Sequence, residues 1–178
     1  MNIFSYVSSG GPIMYVLLLM SMIGMSIIIW KVFYFNVEKN HIESNAVSIL
    51  KKIGESTSEI SDESAILELV KDQVYSIGHR LERGLTTVKI IATISPLLGL
   101  LGTVMGVLSA FQSIAEHGLK DPSIFAGGIS MALITTIGGI LVAIPHLISY
   151  NYLTGWLNSY EIRLEEALLR NYVKGPLK

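Results

Sequence analysis

The sequence predicts an all-α integral membrane protein with three transmembrane helices, long helices extending into the cytoplasm and an amphipathic C-terminal helix. Composition is the first reason. Of 178 residues, 51% are hydrophobic and 15% charged, and the mean hydropathy of +0.54 is too apolar for an ordinary soluble domain. The second is run length, because three stretches reach the roughly 20 apolar residues that a bilayer requires. The third is that two of those stretches carry Gly, Ala, Ser and Thr at helical spacing, where a span that only sat in lipid would be Leu, Ile and Val. The chain has no cysteine, so a disulfide framework and a thiolate metal site are both excluded. A net charge of −1 gives no reason to expect a nucleic acid partner.

Residues 1–12 form the N-terminal segment and 13–35 the first span. Pro12 suits a first helical position, where its missing N–H costs little. No charge appears until Lys31. Tyr15 near one end, with Trp30 and Tyr34 near the other, matches an aromatic belt. A cleaved signal peptide would need basic residues before the apolar run, and Met1 to Pro12 has none.

Residues 36–89 are a polar helical segment, divided by the loop-like run Gly54 to Glu63. Ser61 reads as an N-cap with Asp62 and Glu63 in the first turn. Ile66, Val70, Val74, Ile77 and Leu81 then recur at helical spacing, with Leu69 on the same face. The pattern predicts one long helix entering the second span, although Gly78 and Gly84 weaken its continuity.

The second span covers 90–115 and the third 122–152, joined by the short loop 116–121. They therefore form a tight antiparallel hairpin. Asp121-Pro122 starts the third span as cap and first residue. Residues 153–178 form the C-terminal helix, with Leu153, Leu157, Tyr160, Leu164 and Leu168 as an apolar stripe and Gly175-Pro176 as its stop. That stripe serves either packing within the chain or contact between subunits.

Basic residues set the orientation. Lys39, Lys51, Lys52, Lys71, Arg80, Arg83 and Lys89 lie between the first two spans, and Arg163, Arg170, Lys174 and Lys178 follow the third. The N-terminal segment has none and the hairpin loop only Lys120. The positive-inside rule places the N-terminus and the hairpin loop outside, and the middle segment and C-terminus in the cytoplasm.

Candidate functional residues come from the small-residue stripes. In the second span Ser95, Gly99, Gly102, Thr103, Gly106, Ala110 and Ser113 share a face. In the third Gly128, Ala132, Thr136, Gly139 and Ala143 do so, with Ser130 and Thr135 nearby. Thr103 lies fourteen residues from Lys89 and Thr136 fourteen from Tyr150, so at about 1.5 Å per residue both hydroxyls sit near mid-bilayer. Bonding of each hydroxyl to its own helix carbonyl is the competing structural role. Subunits are expected to meet along the Gly/Ala faces. Pro96 and Pro145 are expected to kink their helices. His146 fits a hydrogen-bonded interfacial histidine better than a proton relay.

No span carries an Asp, Glu or Arg, so a proton route needs a carboxylate from a partner. No nucleophile–base pair, metal-ligand cluster or phosphate loop is present, so the chain reads as no enzyme and needs no metal or cofactor.

Ser95-Pro-Leu-Leu-Gly-Leu-Leu-Gly-Thr-Val-Met-Gly, Ala110-Phe111, Gly128-Ile-Ser-Met-Ala-Leu-Ile-Thr-Thr and Ala143-Ile-Pro resemble the signature of the MotA/TolQ/ExbB proton-channel family. The ExbB branch fits best and TolQ second. The resemblance is close over spans two and three, and one of layout only before them. It implies a homo-oligomer, a pentameric ring in the bacterial inner membrane. The ring would enclose single-span helices of an ExbD- or TolR-like partner whose membrane Asp carries protons. Proton-motive force would then drive a TonB- or TolA-like protein, and Thr103 and Thr136 would be the pore-lining threonines. Many ExbB and TolQ chains carry a Glu where this one has Met131, which cannot titrate. A passive membrane scaffold, whose stripes only pack, is the reading from a different class.

Overall fold

The computed structural model describes residues 3–56, 63–119 and 121–173. The elements are α1 (Ile3–Ser9), α2 (Gly11–Glu38), a 3-10 turn (Lys39–His41), α3 (Ile42–Ser56), α4 (Glu63–Glu82), α5 (Leu85–His117) and α6 (Ser123–Val173). Among the described residues there is no strand. Helices α2, α5 and α6 are each long and apolar enough to cross a membrane. The chain divides into two compact units. One comprises Met1–Ile28 with Thr86–Tyr150, the other Ile29–Leu85 with Asn151–Lys178.

Two expectations change, on helix continuity and on where a loop starts, and two segments gain detail. The N-terminal segment contains a helix of its own, α1, which ends at a turn where Gly11 has φ 66. The helix that should run from the middle segment into the second span breaks between α4 and α5. Gly84 sits there at φ 90, a conformation open to glycine and costly for other residues. The loop expected at Gly54 begins later, since α3 continues to Ser56. The Ser61 and Asp62 cap and the Gly175-Pro176 stop lie outside the described residues. Finally, α6 has no boundary near residue 152. Charged residues beyond a span can continue its helix, and this one runs unbroken for 51 residues.

In the first unit, α2, α5 and α6 bury narrow stripes. On α2 these are Ile13, Leu17 and Ile28, and on α5 Val88, Ala92, Ser95 and Ala110. Spacings of three and four repeat at about 3.5 residues, the period at which helices pack side by side. Most of the remaining surface is exposed and apolar, including Leu97, Leu101, Val104, Leu133, Ile140 and Leu147. Such surface needs lipid or protein against it. The hairpin between α5 and α6 is built by local chemistry. Gly118, at φ 77, donates its N–H to Ile114 O at 2.7 Å and ends α5. Asp121 Oδ1 accepts the Ser123 N–H at 3.0 Å and caps α6. Those bonds from the Ser123 hydroxyl and N–H hold the Asp121 carboxyl below its usual range.

The second unit has an ordinary apolar core of Phe35, Ala46, Leu50, Val70, Val74, Leu81, Leu157, Leu164 and Leu168. Val70, Val74 and Leu81 belong to the stripe read from the sequence, and Leu153 to Leu168 are the buried face of the C-terminal part of α6. Polar groups brace the core. Tyr160 OH donates to Glu38 Oε1 at 3.2 Å, and Asn45 Nδ2 donates to the same oxygen at 2.7 Å. Burial pushes the Tyr160 phenol up to about 12. Lys31, only 2% exposed, donates from Nζ to Leu81 O at 2.7 Å. It thereby satisfies a carbonyl in the last turn of α4, where a cation also suits the helix dipole.

Glu161 lies against Gly78, in the space a Cβ there would take. Burial, and then the charge of Glu82, raise its carboxyl above the usual range. A raised folded value means that the fold binds this proton more tightly than the unfolded chain does. The carboxyl therefore costs stability as pH rises through its folded value. Glu161→Gln should raise the thermal midpoint at neutral pH, and the gain should shrink as pH falls into the carboxylate range. Melting curves across that range check both halves.

Candidate functional site: the glycine seam and its two threonines

Helices α5 and α6 approach closely enough that glycine is required by space rather than by φ. A Cβ placed on Gly106 would lie 2.5 Å from Gly128 O and 2.7 Å from Ala132 N. One on Gly128 would lie 2.5 Å from Gly106 O, and one on Gly139 2.6 Å from Ser95 O. At Gly99 it would meet Thr135 O at 2.9 Å, and at Gly102 it would overlap the Thr135 side chain. The obstacles are mostly backbone atoms, which cannot swing aside. All five candidate glycines thus lie in one seam inside one chain. This corrects the expectation that subunits meet there: the faces already cover each other. A stripe of small residues signals close packing but does not say against what.

The same contacts set the register. Gly99 is level with Thr136, whose Cα would be 3.2 Å from the added Cβ, and Gly102 is level with Thr135. Thr103 follows Gly102 directly, so Thr103 and Thr136 lie within about one helical turn along the hairpin. Each is half-buried at the margin of the seam. Counting 100° per residue from the seam, both fall on the same side of the antiparallel pair. Thr135, one position away, is fully buried and donates to Met131 O at 2.9 Å and Ala132 O at 3.0 Å. Thr103 Oγ1 donates to Leu100 O at 2.5 Å, and Thr136 Oγ1 to Ala132 O at 3.2 Å. These bonds occupy the hydroxyl hydrogens and leave oxygen lone pairs facing outward as acceptors.

Helix α2 packs on the other side of α6. A Cβ on Gly138 would meet Met14 Sδ at 2.7 Å, and one on Gly11 would meet Met131 Cε at 2.9 Å. Met131 therefore points at the start of α2, away from the two threonines. His146 is buried against Gly24, in the space a Cβ there would fill. Its Nδ1 donates to Val142 O at 2.7 Å, and its Nε2 is buried with no hydrogen-bond partner among the described residues. Both prolines are exposed, and α5 and α6 continue through Pro96 and Pro145 without a break. Sequence reasoning did not single out Lys31 or Thr135. A lysine cap fifty residues away in the chain leaves no local signal. The Thr135-Thr136 pair is separated only by knowing which face is covered. Among the described residues, no group of three His, Cys, Asp or Glu side chains could hold a metal ion.

Residues 38–166 match the MotA/TolQ/ExbB proton channel family. The chain belongs to that family. Among similar proteins, biopolymer transport protein exbB1 of Vibrio cholerae is 38% identical over 96 residues, which are 53% of this chain and 41% of that one. An ExbB homolog from Methanothermobacter thermautotrophicus is 41% identical over 83 residues, 47% of this chain and 29% of that one. Biopolymer transport protein ExbB of Helicobacter pylori is 38% identical over 82 residues, 46% of this chain and 57% of that one. The matched stretch thus spans from under a third to somewhat over half of these relatives. Within the family the chain is most like ExbB, and its three apolar helices fit a multi-pass membrane protein.

Proposed function

We propose that this chain is the ring-forming, proton-channel subunit of an ExbB-type complex in a bacterial inner membrane. Five copies would surround single-span helices of an ExbD- or TolR-like partner. Proton-motive force would be passed to a TonB- or TolA-like protein and on to transport at the outer membrane. The observation that carries the proposal is the pair Thr103 and Thr136, half-buried, at one depth and on one side of the hairpin, in walls otherwise apolar.

A lone carboxylate at mid-bilayer is costly unless it is protonated or hydrogen-bonded. Each threonine oxygen can accept from a neutral carboxylic acid while its own hydrogen stays on the helix carbonyl. Rotation about χ1 turns the same hydroxyl into a donor to the carboxylate. The pair thus solvates both protonation states and carries no charge of its own. Met131, on the α2 side, has no part in this, so Met131→Ala should leave transport nearly unchanged. The TolQ-like role in an envelope system uses the same chemistry and differs in the partner.

Intact mass of the complex, purified in mild detergent with its neighbours, tests the assembly. The expected species holds several copies of this chain and a shorter protein with one apolar span carrying an Asp. A lone chain would favour the passive scaffold. Orientation is tested by single cysteines. An impermeant thiol reagent applied from the periplasm should label Cys introduced at Ser123 and spare Cys introduced at Tyr75. Labelling at Tyr75 would reverse the topology and the direction of proton flow.

A further inference from the structure

The second unit contains a cleft of 450 Å³ that the proposed channel does not use. Its walls include Lys39, Asn151, Tyr152, Trp156, Ser159 and Arg163. Lys39 and Arg163 have no acidic partner within 4 Å among the described residues. Glu38, beside Lys39 in sequence, is committed elsewhere, since its Oε1 accepts from both Asn45 and Tyr160. The cleft therefore presents two free cations and the Asn151 amide. An arginine fork and a lysine point charge together suit a phosphate group. One wall is flat and apolar: Trp156 stacks on Phe35 at 4.2 Å and on Tyr160 at 5.3 Å. Tyr152 is largely exposed at its edge.

Chain position gives the second argument. Lys39 comes four residues after Phe35, where the first apolar run ends, and Trp156 four residues after Tyr152, where the third ends. Four helical residues rise about 6 Å, which is headgroup depth, on the side rich in lysine and arginine. We propose that this cleft binds the phosphate of an anionic phospholipid headgroup, with Lys39 and Arg163 holding the phosphate and Trp156 lying against the glycerol. The proposal rests on the membrane-spanning reading above. It adds a lipid ligand whose charge matches the basic interface.

Trp156 can report its own occupant. In Trp30→Phe protein, purified as the full-length chain and reconstituted in vesicles, Trp156 is the single tryptophan. Brominated phosphatidylglycerol should quench it several-fold more than brominated phosphatidylcholine at equal mole fraction. Trp30, in Trp156→Phe protein, should be quenched equally by both lipids and reports insertion alone. Lys39→Gln with Arg163→Gln should reduce the anionic lipid's effect to that of the neutral one, and Arg163→Lys should keep part of it. Equal quenching of Trp156 by the two lipids would overturn the site. So would a preference that survives the double substitution. Loss of the preference in millimolar inorganic phosphate would make the cleft a site for soluble phosphate instead. A smaller intact mass in the double variant with unchanged lipid preference would assign the cleft to subunit contact. If neither tryptophan were quenched by either lipid, the spanning reading itself would fail, and the site with it.

Discussion

Alanine at Gly106 or at Gly128 should lower the thermal midpoint of the purified protein, whereas alanine at Gly127 should not. The three substitutions add the same single carbon. At Gly106 it meets Gly128 O at 2.5 Å, and at Gly128 it meets Gly106 O at 2.5 Å. At Gly127 nothing among the described residues lies within 4 Å. Backbone obstacles force the two helices apart, and the nearby contacts at Ala132 and Ala110 are lost with them. Overpacking of this kind costs about 1–3 kcal/mol, a fall of roughly 3–10 °C for a chain of this size. Gly127→Ala should instead be neutral or gain up to about 1 kcal/mol from better helix propensity. Gly106 and Gly128 face each other, so the double variant should lose less than the sum of the single losses, because one separation accommodates both carbons. The loss should appear in the single chain, since the seam lies within it. Leucine at Gly102 or Gly139 should exaggerate the effect, with the fold failing before assembly is reached. Equal midpoints for the Gly106, Gly127 and Gly128 variants would remove the seam from the account.

Much of this molecule follows from local sequence. The long uncharged runs around Gly99 to Ala110 and Gly128 to Ala143 can only be buried or membrane-spanning, and Asp121 with Pro122 marks the start of the third span in the sequence itself. Val70 to Leu81 and Leu153 to Leu168 show their buried faces by period alone. Other features depend on distant atoms. The break at Gly84 requires a positive φ, and a glycine permits that conformation without demanding it. Lys31 is buried because Leu81 O lies beside it, a pairing that spacing cannot reveal. The small-residue stripes announce close approach, but spacing does not reveal that the approach is between two helices of one chain. Thr135 and Thr136 look alike as letters. One is sealed against Gly102 and the other stands at the margin, and only the register between α5 and α6 separates them.

Replacing both marginal threonines by valine should abolish transport driven by proton-motive force while leaving the complex assembled. Valine keeps the shape and the β-branch of threonine and removes only the hydroxyl, so the seam beside it stays packed. Neither hydroxyl supports the fold by more than a bond to its own helix carbonyl, and removing such a bond costs about 1 kcal/mol or less. The functional loss should be far larger. A carboxylate at this depth with no hydroxyl to accept from it or donate to it is trapped in one protonation state. Thr103→Ser and Thr136→Ser keep the oxygen and should transport nearly as well as the parent, which separates the hydroxyl from the methyl. The measurement is energy-dependent uptake by cells carrying each variant at matched expression, with complex mass checked in parallel. The Thr103→Val, Thr136→Val chain should give no uptake in a complex of unchanged mass, with both serine variants active. Full uptake by the double valine chain would rule out the polar pair and return both threonines to packing alone.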